Sequence, residues 1–228
     1  MNIAVIGSNG RMGGTICNIL SKSHHTVIGI DRHNLDVLDD VVDLADIAII
    51  ATPFDVTCDY LSRLSSRLKC IEVTSAKTPM LRFAGDVISI HPLFGPGSFK
   101  TRNLRNIVFV SDISPVGSLK LVKELFSGYN VISMKAKEHD ELISKIQVIP
   151  YIISLLSEEV NVQTNLSTRS KGILDSMSSI CKDQNRKVLI DTIVRNPFSL
   201  GVLKDIEEKL NKLGGELSDR CSDVWLQH

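Results

Sequence analysis

The stretch Ile3-Ala4-Val5-Ile6-Gly7-Ser8-Asn9-Gly10-Arg11-Met12-Gly13 decides the fold. Four apolar residues read as a buried strand, the glycines as a tight turn, and the spacing from Arg11 to about Leu20 as a helix. Glycine lets a backbone turn sharply and approach a pyrophosphate closely, and the helix N-terminus adds free N–H donors and a positive dipole end. The loop is a GxxGxxG variant, with Asn9 where a second glycine is usual; asparagine tolerates unusual backbone angles. Taken alone, such glycines can simply make the turn. Their context adds to the signal, because Thr26 to Ile30 reads as a second strand and ends at Asp31, about 20 residues past the glycines. A carboxylate there can accept both ribose hydroxyls and repels a 2′-phosphate. Gly7, Ser8, Asn9, Gly10, Arg11, Met12 and Asp31 are therefore expected to bind a dinucleotide, NAD in preference to NADP. Arg32 belongs to the same site, as a group that could hold a 2′-phosphate or stack on adenine.

Outward from this unit the alternation continues. Asp46–Ala51, Cys70–Val73, Val87–Ile90, Ile107–Val110 and Val131–Met134 read as short apolar strands, with helical spacing at Asp55–Arg67 and Val116–Phe126. Continuously apolar strands fit a parallel sheet covered on both faces, so residues 1–137 are expected to form a doubly wound, Rossmann-type α/β domain. By the same topology Ala51, Thr52 and Pro53, at the end of the third strand, should line the cofactor's path. After Lys137 strand signals stop. Residues 138–228 are expected to form an all-helical domain for substrate binding and dimerisation. Leu142, Ile146, Ile149, Ile153, Leu156 and Val160 recur at alternating steps of three and four, one stripe on a long helix. That stripe suits either an ordinary core or a second copy of the chain, hence a homodimer. Pro150 should kink the helix, and Gly214-Gly215 should end the last one.

Composition removes several functions. The 26 Lys+Arg balance 26 Asp+Glu, which argues against a nucleic-acid binder relying on a basic surface, and aromatic residues are only 5%. No apolar run approaches the ~20 residues of a membrane span, and no secretory signal opens the chain. Five scattered cysteines, without metal-ligand spacing, read as reduced thiols in a cytoplasmic protein with no metal site. A local basic pocket for a small anionic substrate stays open.

Ser89-Ile90-His91-Pro92-Leu93-Phe94-Gly95-Pro96-Gly97 leaves a buried strand for a Gly/Pro-rich loop. Strand carboxyl ends face the ligand crevice, so His91 should point to where a nicotinamide would lie, although a lone histidine is more often structural. Here the sequence resembles the prephenate and arogenate dehydrogenases. HPLFGPG is similar to their HPMFGP signature, and VIGSNGRMGG to their nucleotide loop. Glu72-Val73-Thr74-Ser75-Ala76-Lys77 is similar to their D-x-x-S-x-K segment. His139-Asp140 with Gln147 and Pro150 resembles their H-D…Q…P helix start, and Asp183-Gln184-Asn185 and Asn196-Pro197 resemble later landmarks.

The resemblance implies NAD-dependent oxidative decarboxylation of prephenate to 4-hydroxyphenylpyruvate, with arogenate as the alternative substrate, by a dehydrogenase body of the short, archaeal type without a fused chorismate mutase. It implies His91 as the base on the ring hydroxyl, Ser75 as a partner of that hydroxyl or of the imidazole, and His139 and Gln147 as borders of the substrate. The family's usual arginine position holds Ile180, so Lys182, Arg186, Arg169 or a partner-subunit residue is expected to supply the cation. Two rivals fit less well. A dihydrodipicolinate-type reductase shares the loop, but its histidine-rich segment is missing, since the one histidine pair, His24-His25, precedes the second strand. A non-catalytic NAD-binding regulator would have no use for His91.

Overall fold

The computed structural model describes residues 1–95, 105–183 and 186–225. The chain divides into two compact units, Met1–Asp140 and Glu141–His228.

The first unit is built on seven strands: β1 (Asn2–Ile6), β2 (Thr26–Ile30), β3 (Ile47–Ile50), β4 (Lys69–Glu72), β5 (Ile88–Pro92), β6 (Asn106–Val110) and β7 (Asn130–Met134). They lie in the order β2-β1-β3-β4-β5-β6-β7. Side chains of a strand alternate between faces, and here both faces are apolar and covered. Ala4, Ile6, Ala48, Ile50 and Cys70 pack with Leu38, Val41 and Val42 of α2 (Leu38–Leu44) and with Cys58, Leu61 and Leu64 of α3 (Phe54–Leu64). Ile3, Val5, Ile47, Ile49 and Ile71 pack on the other side with Ile16 and Leu20 of α1 (Arg11–Leu20) and with Val122 and Leu125 of α4 (Ser118–Leu125). At roughly 1.5–3 kcal/mol for each fully buried aliphatic side chain, this double layer is the main stabilising term of the unit.

Strands β1 to β5 are mutually parallel, as expected. Strand β6 departs from the expectation of a parallel sheet: it runs antiparallel to β5, and β7 then runs parallel to β6. The sequence between β5 and β6 carries no helical periodicity, and an antiparallel return needs no crossover helix. The chain reverses its path between β1 and β3, because β2 lies on one side of β1 and β3 on the other. This switch point places the carboxyl ends of β1 and β3 beside each other, the position at which doubly wound sheets bind ligands.

Helix α5 (Ala136–Ile143) crosses the unit boundary. The second unit continues with a π-helical turn (Ser144–Val148), α6 (Ile149–Glu159), α7 (Arg169–Asp183), α8 (Arg186–Arg195) and α9 (Ser199–Trp225). The long helix expected from His139, with a kink at Pro150, is interrupted just before that proline. Pro150 lacks an N–H and would clash with the carbonyl four residues back; the wider π turn just before it takes up the misfit, and Pro150 sits in the first turn of α6. The apolar stripe does not point into a core of its own unit: Leu142, Ile146, Ile153, Leu156 and Val160 are 40–55% exposed. Ile143, Val148, Tyr151, Ser154 and Ser157 are buried instead. Gly214-Gly215 does not end the last helix, since α9 runs through both glycines to Trp225. Two interior glycines cost roughly 1 kcal/mol each in propensity, which good helix formers such as Glu207, Glu208, Lys209, Leu210, Lys212 and Leu213 offset.

Candidate active site

The glycine loop is shaped by close backbone approach. Gly7 has φ +85°, and a Cβ there would lie 2.5 Å from the Ala51 carbonyl oxygen at the end of β3. A Cβ on Gly13 would lie 2.0 Å from the Gly7 oxygen, so α1 packs on the loop only with glycine at that position. Gly7 N and Ser8 N both donate to the Ile30 carbonyl, at 2.8 and 3.1 Å, tying the loop to the end of β2. No side chain caps α1, which leaves the N–H groups of Arg11, Met12 and Gly13 for an anionic ligand. Asp31 follows β2 and accepts from Asn9 N at 3.0 Å through one oxygen and from Arg32 N at 2.8 Å through the other. The Asn9 contact is the main reason its carboxyl is held below the usual range. Carboxylate oxygens accept more than one bond, so these two contacts leave acceptor capacity for ribose hydroxyls. Arg32 is exposed. Ala51 and Thr52 are half-buried and Pro53 precedes α3, with Thr52 Oγ1 held 2.9 Å from Thr57 Oγ1.

His91 lies at the carboxyl end of β5, on the same sheet edge as the ends of β1, β3 and β4, and is 4% exposed. Its Nδ1 is 2.9 Å from His139 Nε2, and His139 Nδ1 is 2.8 Å from Asp140 Oδ1. Asp140 also accepts from the backbone N–H groups of Lys77 (2.9 Å) and Thr78 (2.7 Å). Beneath this chain lies a second buried network. Lys77 Nζ donates to Glu72 Oε1 at 2.6 Å and to the carbonyl of Ile90, the residue before His91, at 2.7 Å. Glu72 further accepts from Ser89 Oγ and from Thr74 N and Oγ1 at 2.7 and 2.6 Å. Glu72, Lys77, His139 and Asp140 are all fully buried.

The electrostatics follow from this burial. Desolvation pushes the His91 pKa well below 6.5, helped by His139 and by the Lys77 ammonium. Desolvation also lowers His139, against the opposing pull of its bond to Asp140. Burial alone would raise Asp140, but the hydrogen bonds from His139, Thr78 and Lys77 outweigh it, and its pKa lies below the ordinary value. At neutral pH the chain is thus two neutral imidazoles ending on a carboxylate.

The expected site residues fall into three groups. The loop residues, Asp31, Arg32 and Ala51–Pro53 gather at the switch point. His91 sits at the same sheet edge, but the contact that orients it comes from His139; Ser75 is half-buried in the turn after β4. His139, expected to border the substrate, is fully buried, with one ring nitrogen on His91 and the other on Asp140. Gln147 lies in the second unit, where its Nε2 donates to the Tyr151 hydroxyl at 2.7 Å. Ile180 packs near Tyr151, Cys181 and Leu189. Of the expected replacement cations, Arg186 pairs with Glu158 at 2.6 Å and Arg169 is exposed at the start of α7. Pro96, Gly97, Gln184, Asn185 and the Lys182 side chain lie outside the described residues. Glu72, Lys77, Ser89 and Asp140 have no role assigned from sequence, although two opposite charges flanking a turn after an apolar strand signal a buried pair. Among the described residues no group of three His, Cys, Asp or Glu is placed to hold a metal ion.

No family model matches the chain. In sequence it is 21% identical over 224 residues to a T-protein of Haemophilus influenzae, covering 90% of this chain and 59% of that protein. It is 22% identical over 219 residues to a T-protein of Enterobacter agglomerans, covering 89% and 58%. The chain thus spans under two thirds of the length of these curated relatives. In structure it is similar to the prephenate dehydrogenase of Aquifex aeolicus crystallised with hydroxyphenyl propionate and NAD+, with TM-score 0.75, 16% identity and coverage of 97% and 92% of the two chains. It is also similar to Synechocystis arogenate dehydrogenase, with TM-score 0.68, 18% identity and coverage of 96% and 93%. The chain has the fold shared by prephenate and arogenate dehydrogenases over nearly its whole length.

Proposed function

We propose that this chain is an NAD-dependent dehydrogenase that oxidises and decarboxylates prephenate to 4-hydroxyphenylpyruvate, a step toward tyrosine. The observation that carries the reading is His91: a neutral, buried imidazole at the carboxyl end of β5, on the sheet edge where the glycine loop and Asp31 form a dinucleotide cradle. The residues present fit NAD. Gly7 and Gly13 leave room for backbone approach, the uncapped α1 would offer N–H donors to the pyrophosphate, and Asp31 would accept from the ribose. When bound, NAD supplies the hydride acceptor.

The chain's own residues do the rest. His91 takes the proton of the hydroxyl on the carbon that loses hydride, because hydride leaves an alkoxide-like carbon more readily. A base so placed contributes roughly 10²–10⁴-fold. Ser75, in the turn beside this edge, holds the same hydroxyl. Gln147 and a cation for a substrate carboxylate are assigned to the substrate by the resemblance alone. The exposed stripe Leu142, Ile146, Ile153, Leu156 and Val160 supports a homodimer through the helical unit, since a row of apolar side chains 40–55% exposed is stabilised by a matching row. No helix among the described residues is long and apolar enough to cross a membrane, and all five cysteines are free, which suits the cytoplasm.

The test is absorbance of the reduced cofactor on mixing the chain with prephenate or arogenate and NAD or NADP. Turnover with prephenate and NAD is expected. Turnover with arogenate alone reassigns the substrate within the same chemistry, and none with either overturns the reading.

A further inference from the structure

The hydrogen bonds fix which ring nitrogens carry protons. Asp140 is surrounded by donors, the N–H groups of Lys77 and Thr78, so its carboxylate must accept from His139. Neutral His139 therefore carries its proton on Nδ1 and has a bare Nε2. That bare nitrogen lies 2.9 Å from His91 Nδ1, so His91 must donate there and carry its own proton on Nδ1. The remaining nitrogen, His91 Nε2, has a lone pair. The opposite tautomer would present an N–H at Nε2, which cannot accept a proton.

We propose that His139 and Asp140 are positioning residues that set the His91 tautomer, and that His139 stores the substrate's hydroxyl proton during the reaction and gives it back. The inference rests on the function proposed above. The substrate O–H bond breaks, and its proton forms a bond to His91 Nε2. The His91 Nδ1 proton passes to His139 Nε2, so the positive charge lies on His139, directly beside the Asp140 carboxylate. The O–H electron pair becomes the carbonyl π bond as the C–H pair leaves as hydride to NAD. The ring carboxylate then departs as CO₂, and its bonding pair enters the ring to give a phenolate. The phenolate oxygen takes the proton from His91 Nε2 while His139 returns its own to His91 Nδ1. The products are CO₂, the phenol and reduced cofactor, with no proton left over. A buried pair with no net proton to release needs no path to solvent, which matches His91 at 4% exposure and His139 at 0%.

Two measurements test this on the full chain. Nitrogen-15 NMR of histidine-labelled protein at neutral pH, assigned with His91→Asn and His139→Gln, reads the protonation of each ring nitrogen. Both imidazoles are expected to be protonated at Nδ1 and bare at Nε2; a proton on His91 Nε2 overturns the proposal. In steady-state kinetics His139→Gln keeps an acceptor for His91 Nδ1 but cannot take a proton, so kcat should fall about 10–100-fold with KM within about twofold. Asp140→Asn removes the negative charge that stabilises a protonated His139 and sets an amide N–H₂ against the Thr78 N–H, and kcat should fall further, about 10²–10⁴-fold. A His139→Gln variant as fast as the wild type overturns proton storage, even if Asp140→Asn does not fold. A wild-type chain inert toward both substrates overturns the proposed function and leaves the nitrogen signals to decide the tautomer by themselves.

Discussion

Replacing Lys77 with methionine should be among the most destabilising single changes in the first unit. The side chain is fully buried, and its ammonium makes a 2.6 Å bond to Glu72 and a 2.7 Å bond to the Ile90 carbonyl. Methionine fills much of the same volume, so little of the loss is a cavity. The cost comes from Glu72, whose buried carboxylate keeps the hydroxyls of Ser89 and Thr74 and the Thr74 N–H but loses its counter-charge. Removing one partner of a buried ion pair costs about 3–5 kcal/mol, roughly a fifth or more of a typical domain's stability. For a chain of this size that lowers Tm by about 6–20 °C. The assay is urea unfolding of the single variants Lys77→Met and Glu72→Gln and of the double variant. The double variant should recover about half or more of the loss, because Ser89 can turn its hydroxyl to accept from the new side-chain amide while Thr74 still donates to that amide's carbonyl. A Lys77→Met loss under about 1 kcal/mol, or a double variant equal to the sum of the singles, would refute the reasoning.

Asp31→Ala removes the ribose acceptor at a cost of about 1.5–3 kcal/mol in NAD affinity, roughly 10–100-fold, while NADP affinity changes little; titration calorimetry with both cofactors reads the ratio. Stability should fall as pH drops from about 6.5 through the lowered pKa values of His91 and His139, since the unfolded chain takes up those protons first; the slope is about 1.4 kcal/mol per pH unit for each imidazole. Lys77, Glu72 and Asp140 are the charged groups that face the pair, and His91→Asn should flatten the slope in denaturant titrations at pH 5 and 7. Ile146→Glu together with Leu156→Glu should turn a dimer into a monomer by light scattering, and a wild-type monomer would contradict the proposed use of the stripe.

The first unit is legible because its signals are local. Ile3–Gly13 states strand, turn and helix in one stretch, and apolar runs such as Asp46–Ala51 have the period and length of buried strands. The direction of β6 is not legible, since direction depends on the connection rather than on the strand. The network behind His91 is hidden for a related reason. Asp140 reaches the N–H groups of Lys77 and Thr78, and His139 reaches His91, only after the sheet brings distant segments together. The resemblance assigns His139 to the substrate, and nothing local in the sequence shows that its ring is buried against His91 and Asp140. The helices after residue 140 are legible, and so is the break near Pro150, but not the continuity of the last helix through Gly214-Gly215. A proline's effect depends on the turn before it, and a glycine pair interrupts a helix only when its neighbours do not sustain it.

The most direct test of the account compares the wild-type chain with His91→Asn. NAD affinity by calorimetry should be unchanged, while kcat/KM with prephenate falls about 10²–10⁴-fold, about 3–5 kcal/mol of barrier. Turnover equal to the wild type would contradict the assignment of His91 as the base. Loss of NAD binding would contradict the separation of that base from the nucleotide cradle.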